Sequence, residues 1–161
     1  MVFLKENLKK IIINLKDNNK TISTMESCTG GALASLITDI SGASSVFKYG
    51  AVTYSNEYKI KMGVSSDVID KYSVYSMETA REMAKAISNF TSSDYGIGIT
   101  GKLGEVDPNN LYGDNNRVFI CIYDMEKNKF IDLDTYVNSN DRVDDKKEVL
   151  EFIVSKLELY V

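Results

Sequence analysis

A change of hydrophobic period near residue 20 constrains the fold most. Phe3, Leu4, Leu8, Ile11, Ile12 and Leu15 recur at helical spacing, which predicts an amphipathic helix over residues 3–17. The run Thr21–Met25 then reads as a short β-branched strand, and Gly30-Gly31 opens a second helix over Gly31–Thr38. Further along, Val46–Thr53 reads as a strand, and Asn56–Met62 and Ser66–Lys71 as helical turns. A helix capped by Ser76 runs to about Phe90, and Tyr95–Thr100 is a buried strand. Arg117–Tyr123 and Lys129–Val137 flank a D-M-E-K-N turn as a hairpin, and Asp144–Tyr160 closes with a helix. Helices alternating with strands early and a hairpin late predict a three-layer α/β/α sandwich with a mixed sheet and helices on both faces. The chain has 161 residues, 43% of them hydrophobic, no internal repeat and one proline, so a single domain over 1–161 is expected.

Composition removes most functional classes. There is no histidine, which excludes Ser-His-Asp and Cys-His catalysis and histidine-ligated zinc. Any general base has to be Lys, Tyr, Asp, Glu or a water they hold. Two distant cysteines, Cys28 and Cys121, show no C-x-x-C pairing, so a thiolate metal cage is not expected and a reducing, cytoplasmic setting is. The net charge of −4 gives no basic field to recruit nucleic acid or an anionic membrane. The N-terminal stretch is interrupted by charges and does not read as a signal peptide, and no apolar run approaches the roughly 20 residues of a membrane span.

Four segments carry candidate chemistry. In E-S-C-T-G-G (Glu26–Gly31), a strand ends and a helix begins, where free N–H groups favour an anion or a developing oxyanion. The alternative is that Ser27 or Thr29 only caps the helix, and the residues alone do not decide between Ser27 and Cys28. In Y-S-N-E-Y-K (Tyr54–Lys59), Lys59 is a candidate base for a serine nucleophile, provided its surroundings favour the neutral amine, and Tyr54 a helper; the alternative is a solvated turn with Lys59 and Lys61 in water. Thr100 and Gly101 end a strand and are placed to line the same crevice, or to form an ordinary strand exit. Arg142 suits phosphate or carboxylate recognition, or an ion pair with Asp141, Asp144 or Asp145. Asp132 and Asp134 alternate on a strand and read as a solvated face rather than a metal site.

In order, S-T-M-E-S-C-T-G-G-A-L-A-S-L-I-T-D-I-S-G-A-S, then Y-S-N-E-Y-K, D-Y-G-I-G-I-T-G and N-D-R-V-D-D resemble the carboxy-terminal domain family of CinA. The resemblance spans roughly residues 20–101, with a weaker match into the last helix. It implies a nicotinamide-nucleotide amidohydrolase, a serine amidase that works without histidine, metal or cofactor. By that resemblance Ser27 is the nucleophile, Lys59 the base and Tyr54 a proton-transfer partner. Cys28, Thr29, Gly30, Gly31, Thr100, Gly101 and Arg142 surround a nucleotide substrate. It also implies an α/β sandwich and a homodimer, with no nucleic-acid or membrane partner. After I-T-G the family carries a glycine- and proline-rich loop ending in K-P-V-G. This chain instead has K-L-G-E-V-D-P-N-N-L-Y-G-D-N-N, whose Glu105 and Asp107 would repel a phosphate unless they point away. The alternatives to the amidase are a nucleotide-binding pocket without turnover and a partner-binding protein.

Overall fold

The computed structural model describes residues 2–161 other than 105–107, 110, 112, 139 and 140. The elements in chain order are α1 (Val2–Asp17), β1 (Ile22–Glu26), α2 (Ala32–Thr38), a 3-10 turn (Ala43–Ser45), β2 (Phe47–Val52), α3 (Asn56–Lys61), α4 (Ser66–Tyr72), α5 (Met77–Thr91), β3 (Tyr95–Gly101), β4 (Arg117–Asp124), β5 (Lys129–Tyr136) and α6 (Arg142–Tyr160). They form the expected α/β/α sandwich. The five-stranded sheet has the order β2-β1-β3-β4-β5. β1 is parallel to β2 and β3, whereas β4 is antiparallel to both β3 and β5.

Side-chain alternation along β4 divides the core. Val118, Ile120 and Ile122 face α1, α2 and α6, packed with Leu8, Leu15, Leu33, Ile153 and Leu157. Phe119, Cys121 and Tyr123 face α5, where Ala80 and Ala84 present little bulk. The glycines of Y-G-I-G-I-T-G belong to this packing. A Cβ at Gly96 would stand 2.1 Å from the Ala84 carbonyl oxygen, and one at Gly98 2.2 Å from that of Ala80. β3 therefore lies directly against the α5 backbone, a contact only glycine permits.

Hydroxyl caps set three helix starts. Ser55, Ser65 and Ser76 accept from the N–H groups of Tyr58, Val68 and Thr79. α6 starts two residues before the expected Asp144, because the Asp141 carboxylate accepts from the N–H groups of Val143 and Asp144. Those bonds, that to Asp144 first, hold the Asp141 carboxyl below its ordinary range. α2 starts one residue late, at Ala32, because Gly30 (φ 61°) and Gly31 (φ 91°) are both left-handed. Asp132 and Asp134 do not form a merely solvated face: Asp132 pairs with Arg81, and Asp134 with Arg117 at 2.9 Å.

The ends of β1 and β2 create an opening. The connection after β1 runs through α2 on one face of the sheet, while the one after β2 runs through α3, α4 and α5 to the other. Diverging connections leave a crevice at the carboxyl ends of neighbouring parallel strands.

Candidate active site

The turn after β1 is anchored on both sides. Ser27 N–H donates to the Ile99 carbonyl of β3 at 3.0 Å, and Thr53 N–H donates to the Glu26 carbonyl at 2.9 Å. Glu26 itself is fully buried. Its carboxylate accepts from the Thr29 hydroxyl at 2.7 Å and from the N–H groups of Leu33 and Ala34 at 3.0 and 2.9 Å. The helix cap is thus Glu26, seven and eight residues back in the chain, and neither Ser27 nor Thr29. Freed from capping, the Ser27 side chain faces a cavity of about 630 Å³.

Lys59 reaches Ser27 from α3. Its Nζ donates to Ser27 Oγ at 3.0 Å and to the Thr53 carbonyl at 2.7 Å, and the side chain is 1% exposed. Lys61, two residues on and roughly opposite on the helix, pairs with Glu57 at the surface, as the solvated alternative described for both lysines. The Lys59 amine thus lies within hydrogen-bond reach of the Ser27 hydroxyl, the geometry a base requires. Cys28, beside Ser27, also lines the cavity, but burial, seconded by Glu26, pushes its thiol up to about 12 against the opposing pull of Lys59 and Arg142. A neutral thiol is a poor nucleophile, and the lysine contact goes to the serine.

Tyr54 lines the cavity with Ser27, but its observed partner departs from the expected one. Lys59 meets Ser27 directly, and the Tyr54 hydroxyl instead accepts from Arg142 Nη2 at 3.0 Å. Arg142 Nη1 donates to the Leu103 carbonyl at 3.0 Å. Among the described residues Arg142 forms no salt bridge, while Asp141 caps α6 and Asp144 pairs with Lys147. Thr100 departs from expectation as well. It is fully buried, and its hydroxyl donates to the Val74 carbonyl at 2.8 Å, tying β3 to the segment before α5. Gly101 does line the cavity; among the described residues around it Thr29, Gly30, Gly31 and Thr100 do not appear. They shape the turn and the strand end. The Gly30 N–H is taken by the Ser27 carbonyl at 2.9 Å. Glu105 and Asp107, expected to repel a phosphate, lie outside the described residues, as does Asn140.

Sequence reading missed two residues. Glu26 stood in the motif without an assigned role, because its partners are the Thr29 hydroxyl and two backbone N–H groups of the next helix. Lys102, 4% exposed, lines the cavity immediately after I-T-G, and its place at a strand's carboxyl end was the available clue. Among the described residues no cluster suits a metal ion, and no described helix is long and apolar enough to cross a membrane.

A buried serine–lysine contact at the strand ends of an α/β/α sandwich, open to a cavity bordered by cations, defines the class of this molecule. The family model for the CinA C-terminal domain matches residues 5–158, and the chain belongs to that family. A relative from Clostridium novyi, provisionally named competence-damage inducible protein, is 50% identical over 104 residues, covering 64% of this chain and 24% of its own length. A CinA-like protein of Kosmotoga olearia is 46% identical over 101 residues, covering 62% of this chain and 24% of its own. The chain thus spans about a quarter of the length of these curated relatives. Among solved structures, a CinA superfamily protein from Klebsiella pneumoniae 700603 superposes with TM-score 0.87 at 21% identity, covering 96% of this chain and 95% of that one. The competence damage-inducible protein A of Klebsiella pneumoniae subsp. pneumoniae does so with TM-score 0.89 at 19% identity, covering 98% and 96%. At these identities the likeness is one of fold.

Proposed function

We propose that the chain is a serine amidohydrolase that converts nicotinamide mononucleotide to nicotinate mononucleotide and ammonia, in pyridine-nucleotide salvage. The observation that carries this reading is the 3.0 Å contact between the buried Lys59 Nζ and Ser27 Oγ at the edge of the cavity. Histidine-free hydrolysis needs such a pair: a hydroxyl nucleophile and a base within hydrogen-bond reach.

Neutral Lys59 removes the Ser27 proton as Oγ attacks the carboxamide carbon. The N–H of Cys28, at the turn that follows β1 and beside Ser27, is the candidate donor to the resulting oxyanion. Collapse of the tetrahedral intermediate breaks the C–N bond, and the leaving nitrogen takes the proton back from Lys59, so ammonia departs. Water, deprotonated by Lys59, then attacks the Ser27 ester, releases the carboxylic acid and restores the serine. Arg142, held by Tyr54 and the Leu103 carbonyl, is the candidate for binding the 5′-phosphate. A cavity of about 630 Å³ lies in the size range of small-molecule sites.

By the same resemblance, residues 1–161 act as one domain, in the cytoplasm and as a homodimer, with no cofactor. The test is ammonia release across a panel of amide-bearing nucleotides, with Ser27→Ala as control. Release from nicotinamide mononucleotide that Ser27→Ala abolishes is the expected result. Nucleotide binding without ammonia from any amide would favour a binding pocket without turnover, which the altered loop after Gly101 also suits.

A further inference from the structure

The charge around the cavity is one-sided. Among the described residues that line it, Lys59, Lys102 and Arg142 are cationic and none is acidic, in a chain of net charge −4. Lys59 is engaged with Ser27 and the Thr53 carbonyl. Among the described residues, the partners of the other two side chains are neutral. Lys102 Nζ lies 3.4 Å from the Gly113 carbonyl oxygen and 5.0 Å above the Tyr75 ring. Arg142 donates to the Leu103 carbonyl and the Tyr54 hydroxyl. Among the described residues neither forms a salt bridge.

A lysine 4% exposed is costly without a counter-charge. The Tyr75 face and one long carbonyl contact offset only part of that cost. Lys102 and Arg142 are also coupled through the backbone, since the carbonyl that Arg142 holds belongs to the next residue, Leu103. Each keeps donors in reserve: three of the five guanidinium N–H groups and two of the three ammonium N–H groups have no protein acceptor among the described residues. A phosphomonoester, near −2 at neutral pH with three terminal oxygens, uses such an array more fully than a carboxylate with two.

We infer that Lys102 and Arg142 form one anion clamp, and that Lys102 is a specificity-determining residue that selects phosphomonoester-bearing ligands over their dephosphorylated counterparts. The identity of the ligand's amide end rests on the amidase reading; the clamp does not.

Calorimetric titration of the Ser27→Ala protein separates the two. Nicotinamide mononucleotide, nicotinamide riboside and adenosine monophosphate serve as probes, the last bearing the phosphate without the carboxamide. With Lys102 intact, both phosphorylated probes bind at least about tenfold more tightly than the riboside. Lys102→Met, which keeps the aliphatic stem over Tyr75, erases most of that preference and leaves riboside binding unchanged. Lys102→Arg retains the preference, which makes a folding defect distinguishable from loss of charge. In turnover by the otherwise intact protein, Lys102→Met raises KM for the phosphorylated amide about tenfold with kcat within about threefold. A Lys102→Met protein that folds and keeps the full phosphate preference overturns the clamp, as does equal weakening of the riboside. Phosphate preference without ammonia release from any amide supports the clamp and overturns the amidase reading alone.

Discussion

Three donors converge on the Glu26 carboxylate, and two of them are N–H groups that α2 cannot satisfy within itself. Glu26→Ala would strand them in the interior at about 1–3 kcal/mol each, so a stability loss of about 3 kcal/mol or more is expected from urea unfolding. The role of this residue was illegible in the sequence because its partners come together only once α2 folds back over β1. Tyr54 was half legible. Its motif marked it for the site, but the hydroxyl meets Arg142 and leaves the Lys59–Ser27 contact direct. Tyr54→Phe is accordingly expected to raise KM several-fold with kcat within about threefold, in steady-state ammonia release. A kcat collapse at unchanged KM would restore the proton-relay role.

At the scale of elements, period and turn chemistry gave away almost every helix and strand, and the boundary shifts have local causes. The left-handed Gly31 delays α2, and the Asp141 cap advances α6. What pattern could not convey is the distance between layers. Gly96 and Gly98 lie within a run that reads only as a buried strand, while in the structure they let α5 rest on β3. Gly98→Ala would put a methyl carbon 2.2 Å from the Ala80 carbonyl oxygen, so α5 has to move or β3 to bend. Overpacking of this kind costs about 1–3 kcal/mol or more, and a lowered thermal midpoint with near-native circular dichroism is the expected outcome. Unchanged stability would mean that the helix and sheet are not held this close.

For the molecule as a whole, both cysteines are buried, and burial pushes each thiol up to about 12. Unfolded thiols ionise near about 8.5, so the folded state holds these two protons where the unfolded state releases them. Their contribution to stability is complete below about pH 8.5 and declines as pH rises toward 12. The urea midpoint is expected to fall between pH 8 and about 11, and to fall less steeply in a Cys28→Ala, Cys121→Ala protein. The sandwich architecture was legible because layer order follows element order. The site was legible only in part: the serine–lysine pair could be named from motif and absent histidine, but Lys102 joins Ser27 solely because β1 and β3 end side by side. Lys59 comes to Ser27 from the other side, on α3 beyond the end of β2, and a double-mutant comparison of ammonia release from nicotinamide mononucleotide tests most directly whether the two act as one chemical unit. Ser27→Ala and Lys59→Met are each expected to lower kcat by about a thousandfold or more, and the double variant to be no slower than the worse single one. Near wild-type turnover in Ser27→Ala, or losses that multiply in the double variant, would contradict a serine nucleophile served by a lysine base.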